Sequence, residues 1–405
     1  MMREVSTASA VDWQAETVLD STIGFQRPPS AQATEPQRIF LTGATGFLGA
    51  YLLDELLRTS EADIYCLVRE DERARAAQRL RTHLERLGLW DGSREGRIIP
   101  VAGDLAMPLL GLSRSRFDAL AEQLDVIYHN GGHVNFFLPY AALKAANVLG
   151  TQEILRLAAC GQTKPVHYTS SMAVFFGRTH IDAGRVSELD TPVLEPGLRS
   201  GYVRSKWVAE QLVLAARERG LPAAIYRTIR ITGHSRTGVT SNWTDLLNRL
   251  LKGCILLGSY PSLTIDVPML PVDYVSRAMI CLSRQARSLG RAFHLFHPRP
   301  IPWRELVCMV RASGYPLVER DYDQWLLELK RAAAADHPER ESLAQLWLLL
   351  MSPNSLLVKK PQYDAPNSRE GLEGTGIVCP PIDEALVAAY VSFLRTAGYL
   401  PPPST

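Results

Sequence analysis

Arg38-Ile39-Phe40-Leu41-Thr42-Gly43-Ala44-Thr45-Gly46-Phe47-Leu48-Gly49 carries the strongest signal in this chain. The first five residues form a short apolar run of the kind that fills a buried strand. Three glycines spaced by three follow at once, and a helical pattern over Ala50 to Arg58 follows them. Glycines let a backbone turn tightly and approach a pyrophosphate, and the helix N-terminus behind them offers free N–H groups. A glycine triplet alone is a weak motif. Here strand, turn and helix stand in the order a dinucleotide site requires. Thr42, Gly43, Thr45, Gly46, Phe47, Leu48 and Gly49 are therefore candidate cofactor contacts.

The same alternation continues outward. Strands are expected at Ile64 to Val68, Arg97 to Val101, Val126 to His129, Val166 to Thr169 and Ala223 to Arg227. Helices are expected between them at Asp71 to Leu87, Ser113 to Gln123, Ala141 to Ala159 and Tyr202 to Arg219. Strands alternating with helices mean a parallel sheet with crossover helices. We read an α/β, Rossmann-like doubly wound sheet over residues 38–235, with 265–300 returning to it, followed by a smaller, mainly helical substrate-binding or lid region over 236–405. Residues 1–37 are polar and read as a linker or tail, and the Pro401-Pro402-Pro403 end should be loose.

The end of the second strand bears on the cofactor. A carboxylate there suits a ribose 2′-hydroxyl, and an arginine suits a 2′-phosphate. The chain places Arg69 there and Arg79 on the following helix, which favours NADP(H). Glu70 and Asp71 keep NAD open. Asp104 and Leu105, closing the third strand, could meet an adenine or simply form a turn.

Composition excludes several classes. Of 405 residues, 46% are apolar and 21% charged, and the formal charge is only +2. Neither nucleic acid nor an anionic membrane surface is an expected partner, since both call for a concentrated basic field. No apolar run approaches the length of a membrane span. Six scattered cysteines without a CxxC pair read as reduced thiols in a cytoplasmic protein. His294 and His297 have no third partner nearby, so no metal is expected. Val272-Asp273 reads as a helix cap, Trp325 and Trp347 as core, and Pro353 to Leu357 as a loop.

Two Tyr-x-x-x-Lys pairs occur, Tyr140/Lys144 and Tyr202/Lys206. At this spacing both side chains share one helix face, and a nearby ammonium favours the phenolate. Ligands of doubly wound sheets sit at the carboxyl ends of the strands. Ser170 and Ser171 follow Val166 to Thr169 directly, and the helix carrying Tyr202 comes next. Tyr140/Lys144 has no hydroxyl partner in its own loop. Ser171, Tyr202 and Lys206 are therefore the candidate catalytic group, and Tyr140 and Lys144 read as packing or pocket wall.

The stretches LTGATGFLGAYLL (41–53), YCLVR (65–69), GDL (103–105), YHNGGHVNF (128–136), NVLGT (147–151), YTSSMAVF (168–175), GYVRSKWVAE (201–210) and YRTIRITG (226–233) together resemble the extended short-chain dehydrogenases/reductases. More closely, they resemble the terminal thioester reductase domains of nonribosomal peptide synthetases and the reductase domains of carboxylic acid reductases. The piece from Asp12 to Asp20 resembles the tether that follows a carrier domain in those synthetases. The resemblance implies that Ser171, Tyr202 and Lys206 reduce an acyl or peptidyl thioester held on a carrier protein's phosphopantetheine arm. NADPH would be the cofactor, and the product an aldehyde or alcohol. It further implies that Thr45, Gly46, Phe47, Leu48, Arg69, Arg79, Asp104, Leu105, Asn130, Gly131 and Gly132 match cofactor-binding positions, and that Asn147 supports the active-site lysine; Ser170, at the same strand end as Ser171, is a further candidate cofactor contact. Gly132 stands where the family commonly has alanine, and Ser171 where it often has threonine. The alternatives left by the residues are a sugar-nucleotide epimerase, a hydroxysteroid-type dehydrogenase, and a redox-silent NADP-binding protein.

Overall fold

The computed structural model describes residues 11–28, 35–195, 200–243, 245–336, 338–351 and 361–403. Pro353 to Leu357 lie outside them. Seven parallel strands form the central sheet: β1 (Arg38–Thr42), β2 (Asp63–Arg69), β3 (Ile98–Gly103), β4 (Val126–His129), β5 (Val166–Ser171), β6 (Ala223–Thr228) and β7 (Ala292–Leu295). Their spatial order is 7-6-5-4-1-2-3, so the winding reverses between β1 and β4. Such a reversal opens a crevice at the carboxyl edge, where dinucleotides bind in this topology.

Both faces of the sheet are covered. Helices α1 (Phe47–Thr59) and α2 (Arg73–Leu87) pack on one face with Val272–Ser283, burying Leu52, Leu56, Leu80, Leu84, Val275 and Met279. Helices α3 (Arg114–Gln123), α4 (Gly150–Ala159) and α5 (Gly201–Glu218) cover the other with Phe117, Leu155, Leu157 and Leu212. Strand alternation sorts β1 accordingly: Ile39 and Leu41 join the first core, and Phe40 joins the second. Residues 272–295 thus return to the sheet, with β7 pairing along β6.

The helical region around 246–400 has its own core, built on Trp303, Trp325, Leu346 and Val391. The Trp325 indole is fully buried and donates to the Ser259 carbonyl at 3.0 Å. Trp347 is half-buried at the edge of this core. Asp273 caps nothing on its own helix. It accepts instead from the Ser235 backbone N–H (2.8 Å) and hydroxyl (2.6 Å), pinning the loop after β6.

Two expectations of looseness are corrected. In the segment assigned as a tail, Leu19 and Ile23 are each 1% exposed in the second core. The Arg219 guanidinium gathers the carbonyls of Leu19, Asp20 and Ile23, and Arg156 pairs with Asp20 at 2.6 Å. Polar composition hid this docking because the apolar anchors are few and widely spaced. At the other end Leu400 is buried, and Tyr315 donates to the Pro401 carbonyl at 2.7 Å.

Candidate active site

The glycine turn is shaped by contacts that leave no room for side chains. Gly43 adopts φ +77°, and a Cβ there would lie 2.9 Å from the Gly131 backbone. A Cβ on Gly49 would lie 1.9 Å from the Gly43 carbonyl oxygen. The first turn of α1 therefore sits directly on the turn, with β4's end beneath. Gly46, at the cap position of α1, brings no side-chain cap, which suits a helix start that is to receive a phosphate. This is a cradle of the shape and polarity that a pyrophosphate fills.

Charge at the adjacent edge is arranged around Arg69, which is exposed at the end of β2. Arg79 donates to the Arg69 carbonyl at 2.7 Å and pairs with Glu70 at 3.1 Å. Glu70, one of the two carboxylates that keep NAD open, is thereby engaged, Asp71 pairs with Arg75 at 3.1 Å, and Arg69 is left exposed. Asp104 accepts from the Ala106 backbone N–H at 2.9 Å, shaping the turn after β3. The Leu105 side chain closes on Gly131, and its carbonyl closes on Gly150. A Cβ on Gly132 would meet the Asn147 side chain at 3.3 Å, so alanine would fit here after a small shift.

A buried polar chain ties this cradle to the catalytic helix. The Gly131 N–H donates to the Thr42 hydroxyl (2.8 Å), which is bonded to His129 Nδ1 (2.8 Å). His129 Nε2 meets the Thr151 hydroxyl (2.9 Å), which donates to the Asn147 carbonyl (2.7 Å). Thr151 gives its proton to that carbonyl and so accepts from Nε2–H, while Nδ1 accepts from Thr42. Burial, helped by the charge on Lys206, holds the His129 pKa down to about 3, in keeping with a neutral ring. Asn147 lies in a single π turn, Ala145–Leu149, between Tyr140–Lys144 and α4. Its amide donates to the Ser205 hydroxyl (2.9 Å) and the His133 carbonyl (3.1 Å), and its oxygen accepts from the His133 N–H (2.6 Å). Ser205 donates in turn to the Tyr202 carbonyl (2.8 Å).

Ser171, Tyr202 and Lys206 come together at the carboxyl end of β5. Ser200 caps α5, and Gly201 lets the helix start press against Leu138 and Tyr140, since a Cβ there would lie 2.3 Å from the Leu138 carbonyl oxygen. Tyr202 is 8% exposed, with the Phe136 ring 4.7 Å away. Burial pushes its phenol up to about 12, against a hydrogen bond with the Ser171 hydroxyl that favours the phenolate. The ammonium of Lys206 donates to the Thr169 carbonyl at 2.7 Å and lies 4.3 Å from the centre of the Tyr168 ring. Burial pulls its pKa down to about 7, opposed by the Glu210 carboxylate. The expected acidification of the phenol by this lysine is therefore not what sets Tyr202. The phenol stays protonated at neutral pH, as a proton donor must. Asn147 reaches Ser205 and the His133 backbone, while the carbonyl of Thr169 holds the lysine.

One assignment is corrected. Ser170 is expected in the cofactor site, but its hydroxyl donates to Glu210 Oε2 at 2.5 Å, inside the protein. Both serines meet α5: the buried Ser170 takes Glu210, and the half-buried Ser171 lies beside Tyr202 in the first turn of the same helix. Glu210, fully buried, also accepts from Arg227 at 2.8 and 3.0 Å. Sequence reasoning passed over Glu210 and Arg227, although Glu210 stands one helical turn beyond Lys206.

The second tyrosine–lysine pair is engaged elsewhere. Glu16 accepts from the Tyr140 hydroxyl (2.5 Å) and the Lys144 ammonium (2.6 Å), and Trp13 packs edge-on against the Tyr140 ring. His294 accepts from Arg227 (3.0 Å) through Nε2 and bonds the Asp364 carbonyl (3.0 Å) through Nδ1. His297 bonds the Pro380 carbonyl at 2.8 Å. No group of three metal-ligating side chains occurs among the described residues. No helix among them is long and apolar enough to cross a membrane.

Comparison with known proteins adds an independent line. Residues 41–279 match the sequence profile described as male sterility protein. A linear gramicidin synthase of Brevibacillus parabrevis is 42% identical over 96% of this chain, which spans 8% of that protein. The L-2-aminoadipate reductase large subunit of Penicillium chrysogenum is 33% identical over 94% of this chain, which spans 29% of it. The chain thus corresponds to a minor part of these curated relatives. Among solved structures, the terminal R domain of the myxalamid polyketide–peptide pathway superposes with a TM-score of 0.90 at 43% identity, covering 97% of this chain and 99% of that one. The reductase domain of a nonribosomal peptide synthetase from Mycobacterium tuberculosis gives a TM-score of 0.76 at 27% identity, covering 96% and 97%.

Proposed function

The chain belongs to the male sterility protein family and is an NAD(P)-dependent oxidoreductase like the terminal reductase domains; on that premise we propose that it releases acyl or peptidyl thioesters from the phosphopantetheine arm of a carrier protein by NADPH-dependent reduction. The observation that carries this reading is the meeting of Ser171, Tyr202 and Lys206 at the carboxyl end of β5, in a chain 43% identical to a terminal R domain. The exposed Arg69, backed by Arg79, supports NADPH as the cofactor. The turn from Thr42 to Gly49, with Asp104, Leu105 and Asn130 to Gly132, would hold its remainder. The six free cysteines accord with a cytoplasmic setting.

Bound NADPH supplies a hydride to the thioester carbonyl. The work of this chain is to receive the charge that develops on the oxygen. Ser171 donates a hydrogen bond to it, and Tyr202 donates a hydrogen bond and then its proton. Lys206, fixed by the Thr169 carbonyl, stands one helical turn beyond Tyr202 and is the residue that would meet the ribose. Phe136, packed on Tyr202, and the exposed Val134 and Phe137 give the mouth an apolar lining suited to an acyl arm. The thiol then leaves the hemithioacetal, and the aldehyde remains.

The test is product analysis after incubation with NADPH and a panel of acyl pantetheine thioesters, beside a nucleotide sugar. Thioester-dependent NADPH oxidation with aldehyde formation is expected. Turnover of the nucleotide sugar alone would overturn the reading.

A further inference from the structure

Glu210 is a fully buried carboxylate that the reaction above does not use. Its two oxygens have separate tasks. Oε2 takes the hydroxyl of Ser170, and Oε1 takes two nitrogens of Arg227, itself 2% exposed on β6. Ser170 is the strand neighbour of both Ser171 and Thr169. Thr169 supplies the carbonyl that holds Lys206, and Ser171 bonds Tyr202. Glu210 also stands four residues after Lys206, on the same face of α5. One carboxylate is thus hydrogen-bonded to the strand end and stands one helical turn beyond the lysine.

We propose that Glu210 is a positioning residue for the thioester reductase reaction: through Ser170 it fixes the end of β5 that presents Ser171 and the Thr169 carbonyl, and through its charge it keeps Lys206 cationic. The inference rests on the function proposed above. Its physical core concerns only the state of one lysine.

The other groups around Lys206 cannot take this part. The Tyr168 ring and the Thr169 carbonyl of β5 are neutral. His129 of β4 is neutral, and Tyr202 on the same helix keeps its proton. Arg227 of β6 pairs with Glu210 through two nitrogens, and Arg217 of α5 is a further cation in the field of the same carboxylate. Burial draws the ammonium toward deprotonation, and the Glu210 field opposes it. Arg227 holds that carboxylate in place from the far side, so the field has a fixed origin.

The experiment uses the full chain labelled with 13C at the lysine ε position. Only seven lysines are present, so their signals should resolve, and Lys206→Met identifies the one of interest. The Lys206 signal is followed against pH without substrate in the unmodified protein and in Glu210→Gln. We expect its midpoint to fall by about one pH unit in Glu210→Gln. With NADPH and an acyl pantetheine thioester, the alkaline limb of the kcat profile should move down with it while the thioester KM holds. An unmoved midpoint overturns the proposal, whatever the rate does. Removing one partner of a buried pair can unfold a protein. Should Glu210→Gln fail to fold by circular dichroism, Glu210→Leu with Arg227→Met removes both charges, and a smaller fall in the same direction is expected. Ser170→Ala should lower kcat without moving the midpoint, because it cuts only the link to the strand. A Ser170→Ala rate equal to that of the unmodified protein overturns the strand-fixing half.

Discussion

Tyr140/Lys144 and Tyr202/Lys206 share a spacing, open helices that lie against each other, and meet opposite fates. The first pair is drawn toward Glu16, which takes both the phenol proton and the ammonium, and burial with that carboxylate drives the Tyr140 pKa upward. The second meets a serine and a backbone carbonyl, and its ammonium lies over a ring. A carboxylate clamps a phenol in its protonated form and occupies its hydrogen bond. A serine hydroxyl leaves the phenol able to reach a substrate. The motif supplies the atoms, and the residue opposite decides whether they can do chemistry.

The sharpest way to break this contrast is to remove each phenol oxygen in turn. Tyr202→Phe should lower kcat for thioester reduction by about 10²–10⁴, the usual range for a lost general acid. Equal losses in Tyr140→Phe and Tyr202→Phe would end it. At the cofactor edge, Arg69→Ala should raise the KM for NADPH by about 10- to 100-fold, the loss expected for charge-assisted hydrogen bonds. The KM for NADH should hardly move, and a matched rise for both cofactors would remove the phosphate role.

Acid tests a different property of the same region. His129, His167 and His294 are buried and held down to about 3, below the ordinary value of about 6.5. The unfolded chain therefore binds more protons than the folded one between these limits. Stability is fully present above about pH 6.5 and falls as the pH drops toward 3, by up to about 1.4 kcal/mol per pH unit for each ring. Urea unfolding at pH 7 and pH 5 should show a lower midpoint at pH 5; equal midpoints would contradict the neutral assignment of His129. The smallest effect is expected at the engaged pair. Tyr140→Phe should cost about 1–2 kcal/mol of stability and change kcat less than about twofold.

Much of this was legible along the chain because it depends on local order. The strand, glycine turn and helix from Arg38 to Thr59 are contiguous, and the alternation that follows shows the parallel sheet without knowledge of any contact. Tyr202 stood out from Tyr140 because Ser171 precedes its helix. The remainder depends on partners far apart in sequence. Glu16 meets Tyr140 across 124 residues, and nothing in the polar N-terminal segment signals it. Arg227 and Glu210 read separately as an ordinary strand residue and an ordinary helix residue. The Ser170 hydroxyl meets Glu210 across 40 residues, a pairing that no local pattern carries.

The π turn at Ala145–Leu149 has a consequence for how this helix can evolve. It works as a change of gear between Tyr140–Lys144, which answers to Glu16, and α4, which answers to the core. A straight α-helix advances about 100° per residue, and the wide turn absorbs one extra residue of rotation. Deleting a single residue there would close the wide turn to an ordinary α turn and leave the two segments in phase. What it would cost is the local placing of Asn147 against Ser205. The stretch can shed one residue without moving its flanks, and the buried link to the catalytic helix is what the extra residue serves.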